Sequence, residues 1–388
     1  MKTKNTPRKI FQQKIFVLMG IAILLALAGP VDLASAATWY VSKDGSNTNS
    51  GTGWTDAFAT IQAGIDAAFD GDTVLVADGT YTGEGNKHIS FDFKIITVRS
   101  ANGPHHCIID LENDGKGFHL LWTPTRSMID GFTIMNGLTD SSLDYGVGIR
   151  CDGCHTTIKN CIVKHHTGVQ WGAGIDIRNS AEPVIVNTIF AGNQGNTVSM
   201  YRASAIFMNC TFSGNSGDAP LISASSTSSF TNCIFWNNTT ADIRGDISGY
   251  PDITFSDVQV APDIYPGDVY PGEGNINIDP GFVDPENWNF HLSTDSNCID
   301  SGNNTGLETE ISDLDGKPRF IDGNGDFIVT VDMGAYEYGQ ICECDFNADL
   351  TTDGADAAAF IMGTKDLPLK LLAEDYGRMD CPLYGFAP

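Results

Sequence analysis

A short pattern of apolar and polar positions recurs in the middle of the chain. Each copy has β-branched or aromatic residues in short runs, with Asn or Gly where the chain must turn. The copies are IDGFTIMNG from Ile129, IKNCIVKHH from Ile158, IVNTIFAGN from Ile185, FMNCTFSGN from Phe207 and FTNCIFWNN from Phe230. Aligning Gly131, Asn160, Asn187, Asn209 and Asn232 gives steps of 29, 27, 22 and 23 residues. Such spacing is typical of a repeat fold in which each copy forms one coil.

One coil cannot bury its apolar side chains alone, but coils stacked at about 4.8 Å share a continuous core. The pattern therefore predicts an all-β fold, a right-handed parallel β-helix or solenoid. Stacking would place the four aligned asparagines in register, so that each amide can bond the next. The alternative is a set of separate turn-forming asparagines on the surface. We favour the ladder because separate turns would not need the same position in every copy.

The residues before the repeats predict a cap and the first strands. Phe58, Ile61, Ile65 and Ala68 within TDAFATIQAGIDAAF have helical spacing. A helix here would cover the open strand edge of the first coil. The strands DTVLVADGTY, KIITVRSA and HCIID then begin the stack.

Two segments resemble known repeat proteins. The opening WYVSKDGSNTNSGTGWTDAFATIQAGIDAAFDGDTVLVADGTY resembles the N-terminal capping segment of bacterial pectate-lyase-like β-helix proteins. Between about 275 and 340, NINIDPGFVD, NFHLSTDSNCIDSG, DLDGKPRF and VDMGAYEY are similar to the terminal segment called a choice-of-anchor Q region. The resemblance implies architecture more than activity, because this superfamily includes lyases, hydrolases, epimerases, adhesins and inactive members.

The N-terminus has the pattern of a secretory signal peptide over residues 1–36. Five Lys and Arg residues precede the apolar run Ile15–Gly29, and a small-residue string ends before Ala37. The apolar run is shorter than the roughly 20 residues of a spanning helix, so we expect no transmembrane anchor. We predict a secreted protein, extracellular or at the cell surface, with the β-helix over residues 37–340 and a separate module over residues 341–388.

The charge balance limits the partners. There are 22 Lys and Arg residues against 48 Asp and Glu, a net charge of −26. Nucleic acid is not expected as a partner, because its binding depends on basic groups that displace counterions from phosphates. Divalent cations suit this balance better.

Two adjacent coils carry opposite charges in matching places. Aligning GVGIRCDG with GAGIDIRN puts Arg150 over Asp176 and Asp152 over Arg178. Alternation along a strand turns Cys151 inward and these four charges outward. The alignment therefore predicts a crossed set of two ion pairs on one face.

The same or adjoining coils contain further residues able to bind a sugar or carry a proton. An aromatic ring can stack on a sugar, Arg can bind carboxylates or hydroxyls, and His or Lys can move protons. The predicted substrate-binding residues are Arg150, Asp152, Trp171, Asp176, Arg178 and Tyr201. The catalytic candidates are Arg150, Lys164, His165, His166, Asp176 and Arg178. The alternative is charge pairs that only stabilise exposed strands, worth a few tenths to about 1 kcal/mol each.

The cysteines within the repeats raise two further questions. CDGCH, from Cys151 to His155, matches the pattern for covalent haem. We expect no haem, because the alignment turns Cys151 into the core. Cys161, Cys210 and Cys233 each follow an aligned Asn, which predicts a buried stack of small residues. Whether Cys210 and Cys233 form a disulfide is a question that the sequence leaves unanswered.

The C-terminal residues change character to CECDFNADLTTDGADAAAFIMG. Six oxygen-bearing residues fall at positions 1, 3, 5, 7, 9 and 12 of a calcium loop, followed by a predicted helix. They are Asp345, Asn347, Asp349, Thr351, Asp353 and Asp356. This small α-helical module resembles one half of a type I dockerin, which implies Ca²⁺ and a protein partner, although Leu350 replaces the expected Gly and no second loop follows. The alternative is a solvated acidic loop. A second acidic run, Asp322 to Asp326, we interpret first as a turn and second as a calcium site.

The leading hypothesis is an extracellular protein that binds or depolymerises polysaccharide through the β-helix face. If catalytic, it would most resemble a lyase acting on a uronate-rich polymer. The alternative is a non-catalytic cell-surface or adhesion protein in which the helix is a spacer. Haem-linked electron transfer is a third reading that depends only on CDGCH.

Overall fold

The computed structural model describes residues 36–139, 146–168, 172–217, 221–224, 228–239, 243–245, 250–307, 312–326 and 328–339. These residues form the predicted parallel β-helix, in which the central coils pass through three sheets, A, B and C, and the coils at either end lack a strand of sheet C. The predicted signal peptide and the C-terminal module lie outside the described residues. Among the described residues, no helix has the length and apolarity to cross a membrane.

Neighbouring strands of the three sheets pair in parallel and in register. Sheet A contains β1 Thr38–Val41, β2 Thr73–Val76, β4 Thr97–Ser100, β7 Met128–Asp130, β10 Thr157–Lys159, β13 Val184–Val186, β16 Ile206–Met208, β19 Ser229–Thr231 and β22 Asp252–Thr254. Sheet B contains β3 Gly79–Tyr81, β5 Cys107–Asp110, β8 Thr133–Met135, β11 Ile162–Lys164, β14 Ile189–Ala191, β17 Thr211–Ser213, β20 Ile234–Trp236 and β23 Asp257–Val258. Sheet C contains β6 Phe118–Leu121, β9 Ile149–Asp152, β12 Ile175–Arg178, β15 Val198–Tyr201, β18 Leu221–Ala224 and β21 Ile243–Gly245.

Identical side chains stack along the core. The rings of Phe190, Phe212 and Phe235 are nearly parallel, with successive centroids 5.0 and 4.7 Å apart. Phe207 and Phe230 stack at 4.4 Å. These distances match the strand spacing, because in-register coils place equivalent side chains directly above one another.

The predicted asparagine ladder is present in part, as two bonded pairs at the corner between sheets A and B. Asn160, Asn187, Asn209 and Asn232 have φ of +53°, +48°, +52° and +57°, a left-handed conformation that Asn tolerates. The Asn187 amide donates to Asn160 Oδ1 at 3.2 Å, and the Asn232 amide donates to Asn209 Oδ1 at 2.9 Å. Each coil thus uses the same residue to turn, but the side-chain bonds form two pairs: Asn187 Oδ1 accepts from Arg319, and Asn209 Nδ2 has no partner among the described residues.

A second ladder, at the corner between sheets B and C, was not predicted. The Asn193 amide donates to Asn215 Oδ1, and the Asn215 amide donates to Asn238 Oδ1, each at 3.0 Å. Each amide also donates to a core carbonyl oxygen, that of Val163 for Asn193 and that of Phe190 for Asn215. Buried main-chain groups are satisfied in this way at a corner without strand pairing.

The predicted capping helix, α1, spans Ile61–Ala67. The side chain of Thr60 accepts a hydrogen bond from the first turn, which is the usual role of a threonine N-cap. Gly64 lies so close to the core that a Cβ there would be 2.8 Å from both Val41 and Val74. The helix therefore closes the apolar end of the first coil.

The edge of β1 is paired by a loop instead of the helix. Tyr40 N–H donates to Gly51 O, and Phe58 N–H donates to Tyr40 O. Phe58, which the spacing assigned to the helix, precedes it in extended backbone that bridges to Val41. The sequence pattern overestimated the helix because Phe58 is buried by this bridge.

Residues 279–307, 312–326 and 328–339, here called the terminal segment, fold back over the outer face of sheet B. The segment begins with an antiparallel hairpin of β24 Phe282–Asp284 and β25 Asn289–Leu292. One of its apolar clusters packs Phe290, Leu314 and Tyr336 on Ile162 and Ile189 of sheet B.

Short 3-10 turns occur at Trp54–Asp56, Pro266–Asp268 and Pro285–Asn287.

The acidic run in the terminal segment forms a turn, as expected. Asp322 Oδ1 accepts Gly325 N–H at 2.7 Å, and Asp326 Oδ1 accepts Ile328 N–H at 2.8 Å. Within the described part of the chain, no group of three or more His, Cys, Asp or Glu side chains is arranged to hold a metal ion.

Candidate functional site

The outward residues of β6, β9, β12 and β15, here called the site face, form two columns along sheet C. One column contains His119, Arg150, Asp176 and Ser199, and the other contains Leu121, Asp152, Arg178 and Tyr201. The predicted register of Arg150 with Asp176 and of Asp152 with Arg178 is confirmed. Alternation along each strand brings these side chains to one surface.

Ion pairs on the site face run along the strands. Arg178 donates from Nε and Nη2 to the two oxygens of Asp176 at 2.6 and 2.7 Å. Arg150 Nη2 donates to Asp152 Oδ2 at 2.9 Å. The alignment had predicted pairs between coils, but each arginine reaches the aspartate two residues away on its own strand. Residues two apart share a face, and the guanidinium fork fits both carboxylate oxygens there.

The paired groups differ in their access to solvent. The Asp176 side chain is fully buried, whereas those of Arg178 and Arg150 are 15% and 22% exposed. Burial raises the pKa of Asp176, and the neighbouring Arg178 and Arg150 charges oppose that rise. The carboxylate therefore lies below the surface and positions Arg178 above it.

Two buried nitrogen atoms of this face, His119 Nε2 and Arg150 Nε, have no hydrogen-bond partner among the described residues. His119 lies in register with Arg150 on the adjacent strand. Burial, followed by the Arg150 charge, lowers the pKa of His119, which favours the neutral imidazole. Unsatisfied buried polar atoms are costly, so these two nitrogens mark a place where the site face sacrifices stability.

Two exposed aromatic rings flank the charged residues. Trp122 follows β6, has φ of +45° and is 59% exposed. Its indole rests on the backbone of Gly153, where a Cβ would overlap the ring. Tyr201 is 43% exposed, and the guanidinium of Arg202 lies 5.2 Å from its ring centroid. The two rings belong to strands three coils apart, about 14 Å at the usual spacing.

A disulfide that the sequence analysis did not predict joins Cys151 to Cys154. Cys151 points into the core in register with Ile177, as the alignment indicated. Neither sulfur of the CDGCH motif is a free thiol in the structure. Cys210 and Cys233, the pair left open, are free and buried, and Cys161 is likewise buried.

Lys164 and His165 are not brought together with Arg150. They end a strand of sheet B, where Lys164 pairs with Met135 and Ala191, so they lie on a different face of the coil. The His165 ring packs edge-on against Trp288 of the terminal segment at 4.6 Å. Burial lowers the pKa of both groups. Their proximity in sequence was misleading because a corner separates the two sheets.

His166 points into the core and is the first rung of the second ladder. Its Nδ1 accepts Gly137 N–H at 2.9 Å, and its Nε2 lies 3.0 Å from Ile134 O, which assigns the proton to Nε2. These contacts repeat those of Asn193, whose Oδ1 accepts His166 N–H. Burial lowers the pKa of His166 to about 3. The residue therefore serves the fold and does not line the site face.

The remaining predicted residues lie outside the described residues. They are Trp171, Asp345, Asn347, Asp349, Thr351, Asp353 and Asp356. Their roles in sugar binding and in calcium binding stay predictions.

Residues 147–261 match the family model of the right-handed β-helix region. The match includes β9, β12 and β15 of the site face and agrees with the parallel coils of the structure. No curated protein has a significantly similar sequence.

Three solved structures are similar to this chain at low identity. Pectate lyase Pel9A is 16% identical with a TM-score of 0.33, over 79% of this chain and 98% of that one. A rhamnogalacturonan lyase is 14% identical with a TM-score of 0.35, over 58% and 68%. XylC in complex with xylose is 8% identical with a TM-score of 0.26, over 56% and 75%. Similarities of this size say nothing about the activity of this chain.

Proposed function

We propose that the site face binds an extracellular acidic polysaccharide. The observation that carries this proposal is a strip of cationic and neutral donors, Arg150, Arg178 and His119, flanked by the exposed rings of Trp122 and Tyr201. Guanidinium groups bind carboxylates with two parallel hydrogen bonds, and aromatic rings offer a flat apolar surface. A polymer lying along the helix axis would meet these groups coil after coil.

The net charge of the whole protein indicates that an acidic polymer would bind at a specific strip and not by general electrostatic attraction. The net charge of −26 repels a polyanion from most of the surface. Arginines at the site face would therefore have to supply the attraction locally. The parts of the Arg150 and Arg178 side chains that stay exposed are the groups that a sugar carboxylate would meet.

A lyase reaction at the same face would need a base beside the acidic carbon of the sugar. His119 suits that role better than the catalytic candidates Lys164, His165 and His166, which lie elsewhere. Its lowered pKa leaves the imidazole neutral and able to accept a proton at neutral pH. Binding is the proposal, and the appearance of unsaturated sugar product would extend it to catalysis.

The test is calorimetric titration of the full chain with polygalacturonate and with a neutral galactan. Arg150→Gln and Trp122→Ala should each lower affinity for the acidic polymer about tenfold, which corresponds to about 1.4 kcal/mol. Arg99→Gln, an exposed arginine on the outer face of sheet A, and Trp54→Ala, an exposed tryptophan near the cap, are the matched controls.

Equal losses in the site-face variants and the controls would contradict the proposal. So would a wild-type protein that binds neither polymer, and this result would favour the adhesion or spacer reading. Preference for galactan would place the contacts on hydroxyls instead of carboxylates.

A further inference from the structure

The disulfide lies in the coil that carries the centre of the site face. Cys151 stands between Arg150 and Asp152 in β9, and its side chain enters the core. Cys154 is also fully buried, and its Cα lies 5.2 Å from that of Cys151. The cross-link therefore closes the short turn formed by Asp152 and Gly153.

The coils on either side make the corresponding turn without a cross-link. Cys151 pairs in register with Leu120 and Ile177, which are ordinary core residues. The turns stack through main-chain bonds, since His155 N–H donates to Thr123 O and Glu182 N–H donates to Cys154 O. Folding of a coil at this place does not require a disulfide, so its presence in this one coil calls for a local reason.

The two residues between the cysteines support the site face directly. Asp152 accepts hydrogen bonds from Arg150 Nη2 at 2.9 Å and from Asn179 Nδ2 at 2.7 Å. Gly153 has φ of +63° and carries the indole of Trp122 on its bare backbone. Any movement of this turn would shift both the partner of Arg150 and the platform of Trp122.

We infer that the Cys151–Cys154 disulfide positions the site face, so that its affinity for polysaccharide depends on the redox state of this pair. The inference rests on the proposed function. An added dithiol would reduce the bond: the S–S bond breaks, two electrons and two protons pass to the cysteines, and the dithiol closes to its own disulfide. The cross-linked loop is only four residues long, so it constrains the unfolded chain less than a long loop would. The main effect should fall on binding.

The first test removes the cross-link while keeping the core filled. Cys151→Ile with Cys154→Ala installs the residue types found at Ile177 and Ala181 in the next coil, both fully buried there. We expect affinity for polygalacturonate to fall about tenfold while the urea midpoint stays close to that of wild type. Cys161→Thr, which copies Thr188 in the next coil, is the control and should change neither value.

The second test uses wild-type protein reduced with dithiothreitol, with reduction of Cys151 and Cys154 verified by alkylation and peptide mass spectrometry. Affinity should fall as in the double variant and return on reoxidation. Wild-type affinity in either form would overturn the inference. A fall in affinity matched by a large fall in the urea midpoint in both forms would also overturn it, because the disulfide would then be a general staple.

A third measurement separates this inference from the proposed function. The emission maximum of Trp122, obtained from the difference between the spectra of each protein and its Trp122→Phe counterpart, should shift on reduction without any ligand. If wild type binds no polysaccharide but this signal changes, the proposed function fails and the positioning of the turn stands. If the signal does not change, the inference that the disulfide positions the turn is wrong, regardless of the result of the binding measurement.

Discussion

Sheets B and C form two outer faces of the same coils, and an arginine bonds a carboxylate on each side. In the part of the chain that the structure describes, the terminal segment covers sheet B, whereas Trp122 and Tyr201 on sheet C are exposed. On the covered side, Arg319 of the terminal segment is fully buried and donates from Nη2 to Asn187 Oδ1 at 2.9 Å and Gly334 O at 2.7 Å. On the open side, Arg178 bonds Asp176 but keeps part of its surface exposed. The same pair chemistry therefore serves packing under a second layer on one side and, in our proposal, recognition on the side that solvent reaches.

The covered side also concentrates buried acid groups around its arginine. Asp313, Asp332 and Glu337 are all nearly inaccessible, and Arg319 Nη1 lies 3.2 Å from Glu337 Oε2. Burial raises the pKa of Asp332 to about 7 and raises that of Glu337 well above its usual range. The Arg319 charge opposes the effect of burial on both pKa values, and its guanidinium joins Glu337 and Gly334 to Asn187 of the β-helix.

The largest expected effect is therefore at Arg319. Arg319→Met should lower the free energy of unfolding by about 3–5 kcal/mol, because it removes a buried ion pair with Glu337 and leaves Asn187 Oδ1 and Gly334 O without their donor. Arg150→Gln on sheet C should cost less, about 1 kcal/mol, because its pair with Asp152 is only partly buried. Urea denaturation followed by circular dichroism measures both. Similar costs for the two variants would remove the distinction between the faces.

An intermediate effect on stability or affinity is expected from replacing the partly exposed tryptophan of each face, Trp288 or Trp122. Trp288→Ala should cost about 2 kcal/mol of stability, because the ring packs on His165 and on the turn at Gly192. It should leave polysaccharide affinity unchanged. Trp122→Ala should do the reverse, with lower affinity and little change in stability. Thermal unfolding measures the stability of both variants, and titration with polysaccharide measures their affinity. A loss of affinity in Trp288→Ala would extend the binding surface onto the covered side.

The smallest effect at neutral pH is expected at the corner between the two sheets. His166→Asn should cost under about 1 kcal/mol at pH 7, because Asn makes the same two contacts in the other rungs. The pH dependence should change more. The pKa of His166 is about 3 in the folded protein against 6.5 in the unfolded chain, so the unfolded state takes up the proton first.

Stability from this group is therefore present above about pH 6.5 and is lost as the pH falls toward 3, by up to about 1.4 kcal/mol per pH unit. Urea midpoints at several pH values should show a flatter acid limb for His166→Asn than for wild type. Parallel limbs would mean that His166 is protonated in the folded state.

Part of the site face was predicted from the sequence, and another part could have been predicted by extending the same alignment. The register of Arg150 with Asp176 followed from aligning two strings, because in-register parallel strands convert sequence alignment into spatial alignment. His119 and Trp122 were missed, although FHLLW has the same alternation as GIRCDG and would have aligned with it. Lys164 and His165 were misplaced because the position of the corner, and so the face, cannot be read from alternation alone.

The sequence by itself determined the coil, the Asn160 to Asn232 ladder and the register of the site face. Those features depend on local causes: left-handed Asn at a corner, alternation along a strand, and a repeat that stacks on itself. Only the tertiary structure decided which face stays open. Arg319 bonds Asn187 across 132 residues of sequence, and no local pattern encodes where a returning segment will lie. Because the terminal segment covers sheet B, we place the proposed polysaccharide binding on sheet C.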